Sequence, residues 1–131
     1  MKNGRLQIIS QWIYRSKQDL KSCFQLKSID DSEPEIICFH AQQSAEKILK
    51  GFLVQVDENV PKTHDVEQLI EICCKYDPAF ADFKLAASIL SSYAVTVRYT
   101  DIWIEIPREK AFEAIDMAKK IFDFVSNKIQ A

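Results

Sequence analysis

A chain of 131 residues with 17 basic and 19 acidic side chains has a formal net charge of −2, so it carries no global field to draw in nucleic acid. Its hydrophobic fraction of 47% is ordinary for a globular protein, and no apolar run approaches the roughly 20 residues of a membrane-spanning helix. Two glycines and four prolines leave few turns, which argues against a β-rich chain and for few, long helices.

The first helix is expected from about Leu6 to Lys27. Ile9, Trp12, Ile13, Leu20, Cys23 and Phe24 supply its apolar side, while Gln11, Arg15 and Lys21 face outward. Trp12 lies inside the apolar stripe and reads as core rather than as a platform for a base. A polar linker, Ser28 to Glu33, then reverses the chain. The segment from Pro34 to Asp57 is the most strongly patterned of all. At about 100° per residue, Ile37, Ala41, Ala45, Ile48, Phe52 and Val56 share one side. Gln43, Glu46, Lys47 and Lys50 gather on the other, which reads as a solvated face with Glu46–Lys50 pairing one turn apart. His40 reads as a surface residue. Ser32 and Glu35 have capping-box spacing, and Pro34 suits the first turn. This helix is expected to be the central wall of the domain.

Pro61 ends helical continuation, and Thr63 or Asp65 can cap a short third helix near Val66 to Lys75. Asp77-Pro78 offers a cap and a first-turn proline to the fourth helix, whose apolar side is Phe80, Phe83, Ala87, Leu90, Tyr93, Ala94 and Val97. Ile102, Ile104 and Ile106 alternate as in a strand. With no second strand to pair, an extended loop is expected there. Pro107 restarts a fifth helix that carries Ala111, Ala114, Ile115, Ala118, Ile121, Phe122, Val125 and Ile129 inward. The fold class is all-α: a single domain over residues 1–131, an up-and-down helical bundle of four long helices and one short helix.

The four cysteines show no metal-binding spacing, and Cys23, Cys38, Cys73 and Cys74 read as small buried hydrophobes in a reducing compartment. The N-terminal MKNGRLQIISQWIYRS has no signal-peptide core, so a cytoplasmic location is expected. If all five helices alternate in direction, the ends of the second and fourth share a pole with the starts of the third and fifth. That would bring Lys62 and His64 beside Arg98, Tyr99 and Trp103, with Lys50 about two turns away. Arg98 offers a fork for phosphate, His64 titrates near neutrality, and Tyr99 and Trp103 can stack on a base. Each also has a structural reading: Arg98 against a helix dipole, His64 as padding, and the aromatics as a plug for the core.

Three runs, CFHAQQSAEKILKGFL, VPKTHDVEQLIEIC and SYAVTVRYTDIW, resemble in order and spacing the HEPN (higher eukaryotes and prokaryotes nucleotide-binding) domain. The resemblance spans nearly the whole chain. It implies a prokaryotic helical homodimer that partners a minimal nucleotidyltransferase, sometimes as a toxin–antitoxin pair. It also implies nucleotide binding at Lys50, His64, Arg98 and Tyr99, to which the residue reading adds Lys62. Many members are metal-independent ribonucleases with an Arg-x4-6-His motif. Here neither His40 nor His64 follows Arg5, Arg15, Arg98 or Arg108 at that spacing. The expectation is therefore a module without catalysis or cofactor that binds a nucleotide or a protein partner. The alternatives are a ribonuclease or toxin using His64 and Arg98 at a rearranged site, and a purely dimeric scaffold.

Overall fold

A computed structural model describes the backbone of residues 2–99 and 105–129, with side chains at 4–93 and 105–129. Five α-helices follow in order: α1 Lys2–Lys27, α2 Pro34–Gln55, α3 Val66–Cys74, α4 Lys84–Tyr99 and α5 Arg108–Ser126. No strand occurs among the described residues. The fold class is as expected, with α3 as the short member. Residues 105–107 have no regular secondary structure, and 100–104, including Trp103, lie outside the described residues.

Local chemistry explains most boundaries. Asp65 caps α3, its carboxylate accepting from the backbone N–H groups of Glu67 and Gln68. Asp77 does the same for Ala79, but the helix it starts is a 3-10 turn, Pro78–Phe83, before α4 proper. The expected capping box at α2 does not form: Glu33 holds the cap position without a side-chain bond. Ser32 turns its hydroxyl to the Leu26 carbonyl instead, at 2.5 Å. Arg108 draws the linker in, donating to the carbonyls of Ile29 at 2.6 Å and Ser32 at 2.8 Å. A guanidinium with several fixed acceptors wins over one local cap.

At its other end α2 closes in a Schellman motif. Glu58 N–H bonds to Leu53 O, and Asp57 N–H bonds to Val54 O. Asp57 occupies the left-handed position at φ 64°, where glycine is usual.

The four long helices alternate in direction. Cys23 meets Ile37 while Trp12 meets Gly51, so α1 and α2 are antiparallel. Phe52 stacks on Phe80, and Cys38 bonds to Tyr93, so α4 runs against α2 as well. Arg108 at Ser32 and Lys128 at Gln55 make α5 parallel to α2. The short α3 breaks the expected alternation. After α2 the chain climbs back along it until the His64 carbonyl accepts from Gln42 at 2.8 Å. α3 then descends beside α2, bringing Tyr76 level with Phe52. The expected common pole is therefore corrected. The end of α2 lies opposite the start of α5, and the start of α3 sits against the middle of α2. An extended residue advances about 3.3 Å and a helical one about 1.5 Å, so residues 57–65 suffice for the climb.

The core is gathered around α2 and takes residues from all five helices, Ile9, Leu20 and Cys23 of α1 among them. Phe52–Phe80, Phe80–Phe124 and Phe83–Phe124 ring centroids are 4.8, 5.0 and 4.8 Å apart. Phe52 and Phe80 are buried and each contributes about 1.5–3 kcal/mol of transfer free energy, while Phe83 and Phe124 are partly buried.

Candidate functional site

α2 is buried on nearly every side, and one of its faces is polar. Gln42, Gln43, Glu46 and Lys50 are each less than one-tenth exposed. The stripe expected to be solvated is thus an interior network, because α1 covers one flank of it and the returning 58–65 segment the other. A helix enclosed by its neighbours cannot keep a solvent face.

Glu46 is the centre of this network. Its Oε1 accepts from His64 Nδ1 at 3.0 Å and Gln42 Nε2 at 3.1 Å, with a longer approach from Gln43 at 3.4 Å. Its Oε2 accepts from Lys50 Nζ at 3.0 Å. Oε1 is thus shared by three donors and Oε2 is held by one, so both carboxylate oxygens are met. Gln43 in turn donates to Gln42 Oε1 at 2.8 Å. The Lys50 ammonium also lies 5.8 Å from the centre of the Trp12 ring, an added cation–π attraction. Trp12 is half-buried and packed over Gly51, where α1 leaves little room for a side chain on α2. A buried ion pair survives when every remaining donor and acceptor is met. Among the described residues no buried side-chain nitrogen or oxygen lacks a partner.

His64 is the member that reaches solvent. Its side chain is 52% exposed while that of Glu46 is 5% exposed. With Nδ1 held by the buried carboxylate, Nε2 is the nitrogen able to meet a ligand or exchange a proton. Lys62 is exposed two residues earlier. Lys50 and His64 are therefore brought together through Glu46, with Lys50 beneath the surface, while Lys62 is tied to them only by its place in the chain. The side chains of Arg98 and Tyr99 lie outside the described residues. Their backbone forms the last turn of α4, at the pole where α2 begins.

A second polar seam joins α1 to α2. The Ser16 hydroxyl donates to the Ser44 carbonyl at 2.7 Å. Asp19 receives His40 Nδ1 at 2.8 Å and Lys47 Nζ at 2.6 Å. His40 is thus half-buried and paired rather than a surface residue. Burial pushes the Asp19 carboxyl up, but hydrogen bonds from His40 and Lys47 outweigh it and hold the group below the ordinary carboxylate range. Burial drives the thiols of Cys23, Cys38 and Cys73 up to about 12, which makes them inert. Among the described residues no group of three or more His, Cys, Asp or Glu is placed to hold a metal ion. No helix among them is long and apolar enough to cross a membrane.

Sequence reasoning missed Gln42 as a site residue and misplaced Glu46, although a signal existed. Gln42-Gln43, Glu46 and Lys50 sit at helical steps on the most heavily patterned helix, opposite its apolar face.

Known proteins agree with this architecture. The crystal structure of TT1696 from Thermus thermophilus is similar at a TM-score of 0.80 and 28% identity, covering 92% of this chain and 98% of that one. ST0689, described as an archaeal HEPN homologue, is similar at 0.75 and 27%, covering 93% and 98%. No match was found among curated proteins. The HEPN domain profile matches residues 9–129, and the chain therefore belongs to the HEPN domain family.

Proposed function

We propose that this protein is a binding module without catalysis, which holds a nucleotide, or a protein that carries one, on the surface around His64. The observation that supports it is the fixed, half-exposed His64 ring, anchored by a buried Glu46 and flanked by exposed Lys62. A positioned imidazole and a nearby ammonium suit a phosphate. Lys50 supports the site from within by neutralising Glu46; Arg98 and Tyr99, in the last turn of α4 at the pole where α2 begins, offer a guanidinium fork and a stacking ring for the same ligand. In this reading the protein acts as a homodimer, in the cytoplasm of a prokaryote. Its partner is a minimal nucleotidyltransferase, in a system of the toxin–antitoxin type.

Calorimetric titration of ATP and GTP into the wild type and a His64→Ala, Arg98→Ala double variant tests the binding. Heat that disappears in the variant is the expected result. No heat from the wild type removes nucleotide binding and leaves only the protein-partner role.

One observation favours a second reading, a ribonuclease. A buried carboxylate holding a histidine by Nδ1 is the arrangement that fixes a tautomer for general acid–base work. His64 would move the proton and Arg98 would hold the phosphate. RNA cleaved by the wild type, and about 100-fold more slowly by His64→Ala, would select this reading over the binding module.

A further inference from the structure

α1 carries Lys2, Arg5, Arg15, Lys17, Lys21 and Lys27 against a single acid, Asp19, so this helix is net +5 in a chain of −2 and the remainder is −7. Asp19 is itself buried and paired inward with His40 and Lys47. Among the described side chains, the exposed charges on α1 are therefore all cationic.

The outward side of α1 is also partly apolar. Tyr14, Lys17, Lys21 and Phe24 fall within one sector at three- and four-residue steps, with Leu6 two turns before Tyr14 on the same side, and all are exposed, Tyr14 at 62%. Lys17 and Lys21 make no ion pair among the described residues.

On the far flank of α5 lies a groove of about 430 Å³ against the 3-10 turn and the start of α4. Phe83, Leu85 and Met117 form its apolar lining, with Leu85 74% exposed. Asp82, Glu113 and Asp116 stand around it against one basic residue, Lys120. Asp82 and Asp116 have no ion-pair partner among the described residues, and Glu113 has only the exposed Lys110 at 3.5 Å. Stripe and groove are thus complementary in charge and alike in apolar content. Both flank α5, which touches α1 through Lys27 and Phe112 and the 3-10 turn through Phe124 and Phe83.

We propose that two copies of this chain pair reciprocally, each laying the Leu6–Tyr14–Lys17–Lys21–Phe24 stripe of α1 into the α4–α5 groove of the other. The proposal rests on the homodimer reading above and names its interface. A two-fold axis close to the outer face of α5 makes both contacts at once, so the assembly closes. Along α1 the two lysines stand between Tyr14 and Phe24, so apolar side chains flank the charges that face the acidic groove, and charge complementarity sets the pairing.

Light scattering and sedimentation of the full chain at low salt test it, with circular dichroism confirming that each variant is folded. The wild type is expected to be a dimer that weakens at about 0.5 M salt, where charges are screened within a few ångströms. Lys17→Glu with Lys21→Glu, or Glu113→Lys with Asp116→Lys, should each weaken it about 100-fold through like-charge contact. Mixing these two variants one to one, or combining all four changes in one chain, should restore pairing to within about tenfold of the wild type. A monomeric wild type would overturn both the dimer reading and this interface, leaving the groove to a basic segment of another protein. A dimer indifferent to either reversal would leave the dimer reading standing and overturn this interface. Loss in both without rescue would overturn it too.

Discussion

α2 presents two buried faces of opposite character. Toward α4 and α5 it offers Ile48, Leu49, Phe52 and Leu53, which meet Phe80 and its neighbours in an apolar core. Toward α1 and the returning 58–65 segment it offers Gln42, Gln43, Glu46 and Lys50, which are as deeply buried but ionic and hydrogen-bonded. The apolar face stabilises the fold by burial alone and tolerates approximate matching. The polar face gains little net stability, since desolvation offsets attraction, yet it accepts only one arrangement of donors. Similar burial therefore serves two ends: one face holds the bundle together, and the other holds His64 in place.

The sharpest way to break this comparison is to remove one partner on each face. Phe80→Ala should cost about 3–5 kcal/mol in urea unfolding, from lost transfer energy and a cavity. Glu46→Ala should cost a similar amount, about 3–5 kcal/mol, because it strands a buried ammonium. The two then differ in how they are repaired. Adding Lys50→Met to a Glu46→Leu chain should recover most of the loss, and failure to do so would show that the network stabilises through more than its ion pair.

Acid sharpens the comparison along the α1–α2 seam. Asp19 is held low when folded, so its stabilisation is present above the unfolded carboxyl value near 4 and fades as pH falls through the folded one. The wild type should therefore lose stability relative to Asp19→Asn from about pH 4 downward, with the two unfolding curves converging in strong acid. Parallel curves would mean that Asp19 is not depressed.

Thiol chemistry reports on the apolar side. With Cys23, Cys38 and Cys73 pushed up to about 12, alkylation of the native protein at pH 8 should reach the half-buried Cys74 first. Mass spectrometry of the labelled peptides gives the order. The smallest expected effect is at the C-terminal end of α2, where Asp57→Gly relieves a left-handed aspartate and should stabilise by about 0.5–1 kcal/mol in thermal melts.

The core was legible because helical periodicity depends on neighbours three and four residues apart, which the sequence displays directly. Leu69, Ile70, Leu90 and Ile115 are buried as their spacing requires. The caps at Asp65 and Asp77 were legible for the same reason, while the Ser32 box lost to a distant arginine. Phe24 was assigned inward and stands exposed, at the edge of a stripe too wide for α2 alone to cover. The site was only partly legible. Lys50 and His64 were picked out, but their link through Glu46 joins residues 18 apart across a reversal that no local pattern encodes.

By itself the sequence determined the number, type and approximate limits of the helices, their apolar faces and the family, because each depends on residues close along the chain. Only the tertiary structure decided that the chain climbs back after Asp57 and that α3 runs beside α2. That one reversal turns a polar stripe into an interior, since burial of Glu46 and Lys50 depends on which segments lie over them and not on the residues themselves.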